Sequence, residues 1–138
     1  MKRLLLSPFI ITVIVMMSGI SCEKLKADEY YVKYGLETTS IYSGGNVLVD
    51  ITKEDGSGLP TIIVPIRQDW ETTIGPVKKG FLARMVVTKS GWNGVTAENH
   101  LKLYLRIEVS KNDAPFTFKE INGSNTPRAT ATVEYIIQ

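Results

Sequence analysis

The amino-acid sequence predicts an all-β fold, an immunoglobulin-like β-sandwich of about seven to eight antiparallel strands after an N-terminal signal segment. Three observations predict it. From Tyr30 onward apolar and polar residues alternate with period two, the spacing of a half-buried strand. Turn signals rich in Gly, Asn, Asp and Ser separate the alternating runs. No segment after the leader keeps a helical period over three turns.

The leader comes first. Met1-Lys2-Arg3 is a basic start, and a charge-free run follows from Leu4 to Cys22. This is the layout of a secretory signal, with its positive end held on the cytoplasmic side. The run ends in Ser18-Gly19-Ile20-Ser21-Cys22. Small residues before a cysteine fit a narrow peptidase site, and the thiol is the atom that takes lipid. The ending resembles a bacterial lipobox, with Gly19 where leucine is usual. The resemblance implies cleavage after Ser21 and a lipid anchor, palmitate among its acyl chains, on Cys22. Residues 1–21 are then a signal peptide, 22–29 the lipidated cysteine and a tether, and 30–138 the sandwich domain. The alternative is an uncleaved anchor helix. Leu4 to Ile20 lies at the short edge of a bilayer span and contains Pro8. The chain's only cysteine lies where cleavage would place it, which favours the lipoprotein. Either way the domain is expected in the cell envelope, and as a lipoprotein on the periplasmic or surface face of a bacterial outer membrane.

Charge excludes one class of partner. The chain holds 16 Lys and Arg against 14 Asp and Glu. Lys2 and Arg3 leave with the leader, so the remainder carries equal numbers and no formal net charge. Nucleic-acid binding needs concentrated positive charge, and no basic cluster here exceeds Lys78-Lys79. With Cys22 used, no cysteine remains for a disulfide. The domain must stand on one hydrophobic core.

The strands follow in order. Glu23 to Glu29 is polar and short, a tether. Tyr30, Val32, Tyr34 and Leu36 share one strand face; Tyr31, Lys33 and Glu37 share the other. After the turn Ser43-Gly44-Gly45-Asn46, Val47, Val49 and Ile51 alternate with Leu48, Asp50 and Thr52. Glu54-Asp55-Gly56-Ser57-Gly58 turns the chain into a strand near Leu59 to Ile66, whose Pro60 and Pro65 mark it as an edge. Trp70 to Ile74 is a short strand that Gly75-Pro76 is expected to stop. Phe81, Ala83, Met85 and Val87 form the inner face of the next strand, and Ser90-Gly91-Trp92-Asn93-Gly94 is a loop. In Leu101 to Ser110, Leu101, Leu103, Leu105, Ile107 and Val109 point inward. Lys102, Tyr104, Arg106, Glu108 and Ser110 point outward. A one-residue slip there would bury three charges, so the register is fixed. A strand near Pro115 to Phe118 and a loop at Asn122-Gly123-Ser124-Asn125 follow. The last strand, Arg128 to Ile137, directs Ala129, Ala131, Val133, Tyr135 and Ile137 inward.

Several residues carry a wider resemblance. Val32-Lys33-Tyr34, Val49-Asp50-Ile51, Val64-Pro65, Trp70, Thr73-Ile74-Gly75-Pro76-Val77, Phe81 and the Leu103–Val109 strand recur in one order. The layout is similar to the soluble domain of MmpS-type transport accessory proteins, membrane-anchored sandwiches that work beside lipid-exporting pumps. It also resembles small lipoproteins of Bacteroidetes type. The resemblance covers most of residues 30–138 and implies an accessory role next to an envelope transporter. The chain departs from the MmpS pattern at its anchor, where a lipobox replaces a plain transmembrane helix, and in having no cysteine in the domain.

Catalytic chemistry finds little purchase. His100 is the only histidine and no nucleophile elbow accompanies it, so it is read as a strand-start residue. Asp50, Glu54 and Asp55 approach a calcium-loop composition, but Lys53 intervenes and the spacing is wrong, so an acidic turn is expected. One histidine and no free thiolate argue against zinc. Asp69 and Glu71 are two apart and share one strand face, with Trp70 between them on the other, which suits an exposed face better than a glycosidase pair. Neither a cofactor nor a metal is expected, and the protein is read as non-enzymatic. Candidate ligand or partner contacts are Trp92 and Asn93 in the glycine-rich loop, with Trp70 and Tyr104 as further aromatic surface. The first expectation is a binding or accessory lipoprotein for a membrane complex or transporter. The alternatives are a carbohydrate-binding surface lipoprotein, and a structural or adhesive subunit that adds a strand along the Pro-bearing edge.

Overall fold

The computed structural model describes residues 27–42, 44–90 and 100–138. Cys22, Trp92 and Asn93 lie outside the described residues. Among those described there are eight strands and no helix: β1 (Tyr30–Thr39), β2 (Asn46–Ile51), β3 (Ile62–Pro65), β4 (Trp70–Val77), β5 (Leu82–Ser90), β6 (Lys102–Lys111), β7 (Thr117–Gly123) and β8 (Thr130–Ile136). They pair antiparallel into two four-stranded sheets, β4-β1-β6-β7 and β3-β2-β5-β8. The sheets pack face to face as the expected β-sandwich.

Period-two alternation builds the core. β1 turns Val32, Tyr34 and Leu36 inward, and β6 turns Leu103, Leu105 and Ile107 inward, all shielded from solvent. Val47 and Val49 of β2 and Ala83, Met85 and Val87 of β5 close on them from the facing sheet, equally shielded. Each such large apolar side chain contributes about 1.5–3 kcal/mol over its exposed state. β1 and β6 pair without a register shift from Tyr30↔Lys111 to Thr39↔Lys102. That central pair sets the frame for one sheet. β3 is an edge strand, as expected, though shorter than Leu59 to Ile66: Pro65 lies in it and Pro60 before it.

Two elements differ from the sequence expectation. β4 does not stop at Gly75-Pro76 but continues through it to Val77. β4 is an edge strand, so a proline there costs no ladder hydrogen bond. The extra residue is taken up as a bulge in β4, where Gly75 and Pro76 together face Tyr31 between the pairs Tyr30↔Val77 and Val32↔Ile74. β7 lies later than expected. The segment before Thr117 is irregular, while Asn122 and Gly123 belong to the strand. The reason is a bulge: Ile107 faces Glu120 and Glu108 faces Phe118, leaving Lys119 as the extra residue. The extra residue breaks the alternation from which the strand would be read.

Two polar devices close the sandwich. Arg128 donates to the carbonyls of Leu103 (2.8 Å) and Asn122 (2.9 Å) and to Asn122 Oδ1 (3.0 Å). Asn122 in turn donates to the Thr132 carbonyl at 2.6 Å. This stitches edge strand β7 of one sheet to edge strand β8 of the other. At the end where the chain enters, the backbones of Glu29 and Asn112 bond (2.9 Å), the Glu29 amide meets Asn112 Oδ1, and Asp28 pairs with Lys111 at 2.7 Å. Hydrogen bonds from Lys111 and Asn112 hold the Asp28 carboxyl below its ordinary range, and the same pairing raises Lys111. The last two residues expected in the tether are thus clipped to the β6–β7 turn.

Tyr34 gives this core a measurable pH signature. Its ring is fully buried and its hydroxyl donates to the Thr52 carbonyl at 3.3 Å. Burial pushes its phenol far above the ordinary value of 10.0. The folded form therefore resists an ionisation that the unfolded chain undergoes. The stability this represents is complete below pH 10 and is lost as pH rises beyond it. Tyr34→Phe is expected to cost about 1 kcal/mol at neutral pH for the lost hydrogen bond. It should also flatten the alkaline fall in stability, read by denaturant titration from pH 7 to 11.5.

Candidate functional site

The outer face of the sheet β4-β1-β6-β7 carries the densest chemistry among the described residues. Register arranges it in rows across the strands. Thr73, Lys33, Glu108 and Phe118 form one row; Glu71, Gly35, Arg106 and Ile121 the next; Glu37, Tyr104 and Gly123 a third. The middle strand β6 supplies Tyr104, Arg106 and Glu108 from alternate positions, because its inward residues are committed to the core.

Two glycines let two long side chains lie flat. A Cβ at Gly35 would stand 2.6 Å from Arg106 Nε and 2.7 Å from its Cζ. The guanidinium therefore rests on the bare backbone of β1. From there it reaches Glu37 through Nη1, Glu71 through Nη2 at 3.5 Å and Glu108 through Nε at 3.2 Å. Lys33 closes the array on Glu108 at 3.0 Å. At Gly123 a Cβ would stand 2.6 Å from the Tyr104 ring, and the Tyr104 hydroxyl donates to Asn125 Oδ1 at 2.6 Å. An aromatic ring covering a glycine on an edge strand is a known stabilising pair. It also holds the ring in one orientation.

Burial differs across this array. Glu108 is only 8% exposed, and it pairs with both Arg106 and Lys33. The outward direction expected for Glu108 and Ser110 is observed, but both are covered. Ser110 donates to the Ala114 carbonyl of the β6–β7 connection. Lys33 stands over the Phe116 ring, 5.0 Å from its centroid. Glu37 and Glu71 remain open, with side chains 51% and 61% exposed. Across β6 from them, next to Glu108 and Arg106, Phe118 and Ile121 are 68% and 63% exposed on the edge strand. A groove of about 320 Å³ runs between Tyr104, Arg106, Glu108, Phe118, Ile121 and Glu37.

The sequence candidates separate. Tyr104 is on this face. Trp70 is on the other side of the same sheet, opposite Leu36 and packed at the margin of the core. The two aromatics therefore do not form one strip. His100 is buried just before β6, its Nδ1 2.9 Å from Ser40 Oγ and its ring edge-on to Tyr42. The acidic turn residues are used one by one: Asp50 accepts from Thr61, Glu54 from the Gly75 amide and Asp55 from the Ser57 amide. Hydrogen bonding from the Ser57 side chain, and then from its amide, lowers the Asp55 carboxyl. Among the described residues no group of three His, Cys, Asp or Glu side chains is placed to hold a metal. The array around Arg106 was not among the sequence candidates, since only strand pairing brings Gly35, Glu37 and Glu71 beneath it. No protein-family model matches the chain, and no curated protein matches it.

The Gly35–Arg106 contact can be tested by a double-mutant cycle. Gly35→Ala is expected to lift Arg106 off the sheet and cost about 1–3 kcal/mol. In an Arg106→Ala background the same substitution should be neutral or stabilising, because alanine suits a strand better than glycine. Thermal melting of the four variants measures the coupling.

Proposed function

We propose that this protein is a non-enzymatic envelope lipoprotein, anchored through Cys22, that serves a membrane protein complex as a binding or accessory module. The outer face of β4-β1-β6-β7 is its contact surface. One observation carries the reading: Phe118 and Ile121 stand open on an edge strand, directly beside a preorganised ionic array. Exposed aromatic and aliphatic side chains next to a held arginine are the composition of interface centres. A monomer gains nothing by exposing them, since each would be more stable covered. The resemblance to MmpS-type accessory domains and to small Bacteroidetes-type lipoproteins supports a transporter as the kind of complex served. The lipobox-like ending Ile20-Ser21-Cys22 supports the anchor and an outer-membrane location.

Tyr104 favours a second reading. A ring held flat on a sheet beside a carboxylate and a guanidinium is a stacking platform for a sugar. On that reading the module binds glycan, and Tyr104→Ala lowers retention on a glycan array at least tenfold. An array on which no glycan is retained removes it.

The first reading predicts that the full-length protein labels with radioactive palmitate, and that Cys22→Ser abolishes the label. It also predicts that Phe118→Ser with Ile121→Ser strips the co-purifying complex from protein extracted from native membranes. The melting temperature should stay within a few degrees, because both side chains are exposed. Undiminished recovery of the complex with the double variant would count against this face.

A further inference from the structure

We infer that the partner segment covering this groove carries a basic side chain and, about 14 Å away, an apolar one. The inference rests on the contact surface proposed above and adds the chemistry of its occupant.

The charge of the site leads to it. The residues lining the groove supply two carboxylates, Glu37 and Glu108, against one guanidinium, Arg106. Adding the adjoining Glu71 and Lys33 leaves three carboxylates sharing two cations. Lys102 lies one row beyond Tyr104 and does not line the groove. The surplus negative charge is also the accessible part. Counting side chains alone, Arg106 and Lys33 are each 24% exposed and Glu108 10%, whereas Glu37 and Glu71 are about half exposed or more. Arg106 occupies Oε1 of Glu37 and Oε2 of Glu71. Among the described residues each carboxylate's second oxygen has no partner, and it can take an incoming donor. Two carboxylates bridged by one arginine repel each other, and a second cation relieves that repulsion.

The apolar requirement lies at the other end of the same row. Glu71, Gly35, Arg106 and Ile121 follow one another on four neighbouring strands. Adjacent strands are about 4.8 Å apart, so Glu71 and Ile121 are separated by about 14 Å. An extended segment advances about 3.3 Å per residue, and residues four apart face the same way. One such segment crossing the strands places a lysine or arginine over Glu37 and Glu71 and an apolar side chain between Phe118, Ile121 and Tyr104.

The test replaces Phe118 with a benzoyl-phenylalanine photo-cross-linker, which keeps an aromatic ring there, in the full-length protein in native membranes. The cross-linked partner peptide is then sequenced. The expected result is a segment of another protein with Lys or Arg within about five residues of the cross-linked site. Glu37→Gln with Glu71→Gln should lower cross-link yield about threefold to tenfold, the value of two exposed ion pairs. If that double variant melts early, Glu71→Gln alone, at the longest of the contacts, should lower the yield in the same direction. A cross-link to a segment without basic residues, unchanged by the carboxylate variants, overturns the inference and leaves the contact surface standing. Cross-links only to a second copy of this chain, or none, overturn the contact surface and the inference together.

Discussion

The structure depends on the alternation of β6. This strand is paired on both sides, with β1 and β7, and its inward residues Leu103, Leu105, Ile107 and Val109 are at most 6% exposed. A shift of one residue would exchange those four for Tyr104, Arg106, Glu108 and Ser110 and take charges into the core. The hydrophobic demand on one face therefore fixes what the other face displays. Arg106 lands opposite Gly35, Tyr104 opposite Gly123 and Glu108 opposite Lys33 because the core permits no other register. The surface chemistry of this sheet is a consequence of its interior packing.

That dependence explains how much was legible in the sequence. Strong alternation identified β1, β2, β5, β6 and β8 and nearly all of their inward residues, since period two with one buried face leaves little freedom. Edge strands were harder. β4 runs through Gly75-Pro76 because an edge strand needs no amide on its free side. β7 escapes the alternation pattern because the bulge at Lys119 interrupts it, and because its residues are mostly exposed and carry no hydrophobic stripe. The burial of Glu108 and Ser110 is a tertiary effect, produced by Lys33, Arg106 and the β6–β7 connection folding over them.

The candidate site was legible only in part. Tyr104 was recognisable as an outward aromatic. Trp70 is an equally visible aromatic in the sequence, yet parity on β4 sends it to the core side of the sheet. Glu37, Glu71 and Arg106 are distant in sequence and each looks like an ordinary surface charge. Their meeting depends on the order β4-β1-β6, which one sequence does not encode in any local pattern. Gly35 and Gly123 lie in strand positions, where a glycine weakens the strand unless another group must come close. A glycine inside an alternating run was the one local sign available, and Arg106 and Tyr104 are the groups that come close. The opposite sheet shows Ile63, Leu82 and Ile136 to solvent, with the Arg84–Glu134 pair at 2.7 Å on its surface. Both partners there are half exposed, so that pair is ordinary surface electrostatics.

The central claim is that the molecule meets its partner through one sheet face. The most direct measurement is hydroxyl-radical footprinting of the full-length protein in native membranes against the detergent-purified protein. Protection of Tyr104, Phe118 and Ile121 in membranes, with Ile63, Leu82 and Ile136 equally reactive in both states, is the predicted result. Equal reactivity of all six residues in the two states, or protection confined to the β3-β2-β5-β8 face, would contradict the account.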